Sequence, residues 1–167
     1  MRLPDLLASR RGRLAAFFLL YLTEGIPAGF TVTAVATQMR RQGLSPAAIG
    51  GFVAALYLPW AVKWAFGPFV DVLSSDRWGR RRTWILITQG MMVVTILAAM
   101  PVSFTTRLSL FTAIVFIHNI FAATQDVAID ALAVNVLRAD ERGLANGLMF
   151  GGQYIGNALG GSGVLLL

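Results

Sequence analysis

Glu24 and Lys63 are ionisable side chains set inside long apolar stretches, and a charge near the centre of a hydrocarbon slab costs about 2.5–3.5 kcal/mol on insertion scales. Each therefore needs a partner or a water-filled cavity. Glu24 falls about ten residues into its stretch, roughly 15 Å at 1.5 Å per residue. Steps of seven residues place Phe17, Thr31 and Gln38 on the same helical face, and Pro27 loosens the backbone beside them. A carboxylate, a hydroxyl and an amide on one stripe read as the wall of a polar cavity. Lys63, eight residues before Asp71, reaches a similar depth from the opposite direction. Two chemistries fit: a Glu24 and Lys63 pair that binds a solute carboxylate or a proton and re-pairs during a cycle, or a structural ion pair with a snorkelling lysine.

A second stripe carries Thr112, Asn119, Asp126 and Asp130, with His118 and Gln125 a quarter-turn away. Carboxylates at i and i+4 repel, so protons or cations must answer them. With both aspartates read as close to the membrane interface, a charge network with Arg80, Arg81, Arg82 and Arg142 is expected, and a proton relay is the alternative. His118 is open to a helix-packing hydrogen bond or to proton carriage. Glycines recur every four residues in two rows, Gly143, Gly147 and Gly151 beside Gly152, Gly156 and Gly160, a spacing that lets helix backbones approach closely.

The elements that position these groups are long apolar helices. Hydrophobic residues make up 56% of the 167 and charged ones only 13%, against about a quarter charged in an ordinary soluble domain. That much apolar surface fits lipid. The expected class is all-α and multi-pass, with spans at about 14–38, 46–70, 83–104, 108–129 and 144–167 after an N-terminal segment, 1–13. Ser45-Pro46 is placed to open the second span, and Ser74-Ser75-Asp76 and Asp140-Glu141-Arg142-Gly143 fall in breaks. An N-terminal signal peptide is disfavoured because Glu24 and Pro27 precede the Ala34-Val35-Ala36 cleavage-like site.

The net charge of +6 is topological. Every basic residue but Lys63 flanks an apolar stretch, with no aromatic-interleaved basic face, which excludes nucleic acid as a partner. Ten arginines, Arg2, Arg10, Arg11, Arg13, Arg77, Arg80, Arg81, Arg82, Arg138 and Arg142, fall on one side, and Arg40, Arg41 and Arg107 on the other. The N-terminus is thus expected in the cytoplasm. Cysteine is absent and His118 is the sole histidine, so no metal site and no cofactor are expected.

Between the second and third spans the chain reads Gly67-Pro68-Phe69-Val70-Asp71, then Asp76-Arg77-Trp78-Gly79-Arg80-Arg81-Arg82. This resembles the signature loop of the major facilitator superfamily, split by a short insertion that leaves Asp71 and Asp76 competing for the aspartate role. Asp71 keeps the four-residue spacing from Gly67. Glu24-Gly25-Ile26-Pro27, Leu58-Pro59-Trp60-Ala61-Val62-Lys63-Trp64, Gln125-Asp126-Val127-Ala128-Ile129-Asp130-Ala131 and Glu141-Arg142-Gly143 further resemble the branch of muropeptide permeases and acetyl-coenzyme A transporters. The run Gly152 to Gly161 resembles the superfamily's antiporter motif with Asn157 replacing proline. The resemblance implies a twelve-helix transporter of two six-helix halves, of which this chain holds five helices of an incomplete N-terminal half.

By that resemblance the protein takes part in proton-coupled uptake of a polar solute such as a muropeptide across the cell inner membrane. Its expected partners are the bilayer, solute, protons and the missing C-terminal helices. The loop would act as a cytoplasmic latch of Gly67, Asp71, Asp76, Arg77, Gly79, Arg80 and Arg81 with Asp126, Asp130, Glu141 and Arg142. Glu24, Thr31, Lys63, His118 and Asn119 would line the cavity. Val164-Leu165-Leu166-Leu167 ends the chain without a polar flank, and truncation is expected. Two rival classes remain: Gly160-Gly161-Ser162-Gly163 resembles the serine motif of rhomboid proteases but no histidine follows it, and an inert structural subunit would have no reason to carry Glu24, Lys63 and Asp126.

Overall fold

The computed structural model describes residues 6–72 and 79–167; Asp76 and Arg77 of the latch lie outside the described residues. The described residues form helices and connecting turns with no strand. Ser9 opens the first helix, α1 (Arg10–Gly29), by accepting from the Gly12 N–H at 3.1 Å. That cap satisfies an otherwise orphaned donor, so the helix starts inside the segment 1–13 rather than after it. Pro27 leaves a gap in the backbone ladder, and a π segment follows over Phe30–Val35 before α2 (Ala36–Arg41).

The second span opens as α3 (Pro46–Ala61), where Ser45 accepts from the Ala48 N–H at 3.2 Å and Pro46 occupies the first turn. It does not run straight through. A 3-10 turn at Lys63–Ala65 separates α3 from α4 (Phe66–Val72), downstream of Pro59, which has no N–H to give. Gly79, at φ +85°, turns the chain into α5 (Arg80–Ala99). This helix ends before the expected residue 104, because Pro101 cannot donate to the Leu97 carbonyl.

Next, α6 (Leu108–Val136) continues two turns past the expected residue 129, since the mostly apolar residues 131–136 prolong it. Asp126 is thereby ten residues from the nearer helix end, about 15 Å along the helix axis. The last helix, α7 (Arg142–Ala158), runs into a second π segment, Leu159–Gly163. Four helical stretches are long and apolar enough to cross a membrane, Arg10–Arg41, Pro46–Val72, Arg80–Ala99 and Leu108–Val136. The stretch expected as a fifth span, 144–167, is occupied by α7 and its π extension and is not among these four.

The chain divides into two compact units, residues 1–34 with 131–167, and residues 35–130. In the first, α1 packs on α7 through glycines. A Cβ at Gly152, Gly156 or Gly160 would run into the backbone of Phe18, Leu22 or Ile26, and one at Gly25 or Gly29 into the backbone of Gln153 or Asn157. Phe17, Ala145 and Met149 fill the core beside this seam, and Tyr21 meets Phe150 edge-on at 6.5 Å. In the second unit Phe111 anchors the packing, 5.9 Å from Phe52 and 5.6 Å from Phe104 by ring centroids.

Candidate functional site

In the second unit the break in the second span decides the geometry. The 3-10 turn delivers Lys63 Nζ to Asp126 Oδ2 at 2.6 Å, and Trp60, one turn earlier, donates its indole N–H to Asn119 Oδ1 at 3.1 Å. The Asn119 amide in turn donates to the Val115 carbonyl at 2.9 Å, which holds the Trp60 ring in place. Lys63 Nζ lies 5.9 Å from the centre of that ring, within cation–π range. Broken helices with ionisable groups at the break are the form in which irregular backbone is tolerated at membrane depth.

His118 turns to α5 instead. Its Nδ1 lies 3.0 Å from Thr95 Oγ1 and 3.2 Å from the Met92 carbonyl, the geometry of an interhelical hydrogen bond. Gln125 is buried with neither its amide oxygen nor its nitrogen bonded. In the first unit Glu24 is 1% exposed and accepts from the Gln153 side chain at 3.3 Å. Thr31 Oγ1 donates back to the Pro27 and Ala28 carbonyls, at 2.9 and 3.2 Å, inside the stretch that Pro27 perturbs.

At the ends of α4 and α5 the described residues of the expected latch come together. Arg81 pairs with Asp71 at 2.5 Å and donates to the Val70 carbonyl at 3.1 Å, while Arg80 donates to the Asp71 carbonyl at 3.1 Å. Two guanidinium groups thus cap the last carbonyls of α4, where the helix dipole favours cations. Asp130 lies one turn beyond Asp126, and Arg142 is the first residue of α7.

Glu141 is engaged by a residue that its sequence position assigns to topology alone. Arg13 Nε donates to Glu141 Oε2 at 2.9 Å and Nη2 to Oε1 at 2.5 Å, both groups buried. A signal for it exists: Arg13, Phe17, Tyr21 and Glu24 share one buried face of α1 at helical spacing. No such signal joins Lys63 to Asp126, because the pairing depends on where the second span breaks and how far α6 extends.

Residues 14–167 match the family model of the Major Facilitator Superfamily. The chain belongs to that superfamily. It is a multi-pass membrane protein of a transporter family and not an enzyme, so the rhomboid-like reading of Gly160-Gly161-Ser162-Gly163 falls. It is 25% identical to the putative transporter AmpG 4 of Rickettsia conorii, over 93% of this chain and 38% of that protein. The corresponding protein of Rickettsia felis is 27% identical over the same shares. The anhydromuropeptide permease of Escherichia coli is 28% identical over 89% of this chain and 30% of its own length. The chain therefore spans a little over a third, or less, of these curated relatives.

Proposed function

We propose that the complete protein imports a polar solute of the muropeptide class, coupled to protons, across the inner membrane by alternating access, with its N-terminus in the cytoplasm. The further chain that the relatives possess would supply the surface against which these helices rock. One observation carries the reading: Glu24, fully buried fourteen residues into a helical stretch that runs from Arg10 to Arg41, is a carboxylate whose cost at that depth a functional site would repay. An amide neighbour, Gln153, can serve either protonation state, accepting from the acid or donating to the anion.

The substrate class is supported by the name of the Escherichia coli relative. The latch reading is supported by Asp71 and Arg81, a pair exposed enough to open when the helix ends move. The arginine distribution supports the orientation. The test uses the complete gene product in proteoliposomes, with labelled anhydromuropeptide outside and an imposed proton gradient. Accumulation driven by the gradient is expected, and Glu24→Gln should lower it at least tenfold at unchanged protein insertion. Equal uptake with and without the gradient would refute the coupling; no uptake of the anhydromuropeptide would refute the substrate class.

A further inference from the structure

We infer that Lys63 is the anchor for a carboxylate of the transported solute and that Asp126 takes up a proton as that carboxylate arrives, an inference that rests on the transport reading above. The ion pair is lopsided. Its lysine side chain is 42% exposed and its aspartate 5%, so a ligand can approach the ammonium without first displacing the carboxylate. The turn that carries Lys63 is already unwound from the helical ladder on both sides. Trp60, fixed by Asn119, offers the ammonium a neighbour that attracts it without neutralising it.

When an incoming carboxylate draws the ammonium towards itself, Asp126 is left as a buried anion ten residues from the nearer end of α6. A buried anion that loses this ammonium is costlier to keep charged, and protonation relieves that cost. No covalent bond changes beyond the proton: one carboxylate anion enters, one proton leaves water for Asp126, and the charge of the site is conserved. Departure of the solute returns Lys63 to Asp126 and releases the proton. The other titratable or charged groups of the surrounding elements are Asp130 and His118 on α6, Asp71 on α4, and Arg80, Arg81 and Arg82 opening α5. His118 is bonded towards Thr95 and Met92, and Arg80 and Arg81 towards the end of α4. The apolar body of α5 presents the hydroxyls of Thr88 and Thr95.

Difference infrared spectroscopy on the complete gene product in lipid nanodiscs tests this, with anhydromuropeptide, a plain N-acetyl dipeptide and the carboxamide of each as probes. Both acids should raise a protonated-carboxyl band that is missing with the amides and missing in Asp126→Asn. Affinity for the acids should tighten about tenfold for each unit that the pH falls below neutral, and Asp126→Asn should flatten that slope. Lys63→Ala combined with Asp126→Asn, which removes both charges together, should bind acid and amide alike. No band with either acid, a band that survives Asp126→Asn, or equal wild-type affinity for acid and amide overturns the inference. If the dipeptide raises the band and anhydromuropeptide does not, the exchange stands and the muropeptide class falls. Proton-driven uptake without the band leaves transport standing and sinks the exchange.

Discussion

The guanidinium of Arg13 spends three donor groups inside the first unit: two on Glu141 and one on the Leu7 carbonyl at 3.0 Å. Hydrogen bonds from Arg13 hold the Glu141 carboxyl below its ordinary value of 4.5, against the opposing effect of burial and with help from the Arg138 N–H. Because the folded value lies below the unfolded one, the stabilisation is complete above the ordinary carboxylate range and is lost as pH falls through the folded value. Thermal unfolding of the detergent-solubilised protein should therefore hold steady from neutral pH to about pH 5 and decline in stronger acid. Glu141→Gln should melt lower at neutral pH and lack that acid-dependent decline. An acid limb unchanged in Glu141→Gln would assign the effect to other carboxylates. Arg13 could be found in the sequence only by asking which of the four N-terminal arginines continues the buried face of Phe17 and Tyr21; a count of charges by membrane side treats all four alike.

Between α1 and α7 the contact is made by backbone, and backbone cannot move aside as a flexible side chain does. Gly156→Leu should cost about 1–3 kcal/mol or more through overpacking, because its Cβ would meet Leu22 and Gly25. Gly147→Ala, on the row with open space around it, should be neutral or stabilising by up to about 1 kcal/mol through helix propensity. Melting temperatures of the two variants in one detergent decide it; equal losses would show that glycine content and not the seam matters. The four-residue spacing of Gly152, Gly156 and Gly160 is plain in the sequence, and so is the Ser45-Pro46 start of α3. Their counterparts on α1, Gly25 and Gly29, are harder to see, because only the pairing of the first helix with the last gives their spacing a meaning. Helix length differed from expectation in one place. The span expected to stop at residue 129 continues as helix to Val136, because the residues after Asp130 are mostly apolar.

At the scale of the molecule, superfamily and helical class were legible because long apolar stretches and the split loop motif are local signals. Partner choice between spans is non-local, which is why the Lys63 and Asp126 contact is visible only in the folded structure. Orientation has a direct test, since the sequence contains no cysteine and single ones can be placed at exposed positions in the turns. In the complete gene product in intact spheroplasts, a membrane-impermeant thiol reagent should label Gln42→Cys and Thr105→Cys. Ala8→Cys and Ala139→Cys should react only after lysis. The reverse pattern would invert the assignment made from arginines.

The first unit joins residues 1–34 to residues 131–167, so α1 cannot find α7 until the intervening stretch has been synthesised. At about 5–20 residues per second, roughly 5–20 s separate the emergence of the two helices from the ribosome. Through that interval Arg13 lacks the acid it will clasp, and Gly25 and Gly29 face lipid or the insertion machinery instead of a sister backbone. Docking of the founding helix is thus a late act of biogenesis, and nascent chains arrested before Glu141 should leave it open to cross-linking with the translocon.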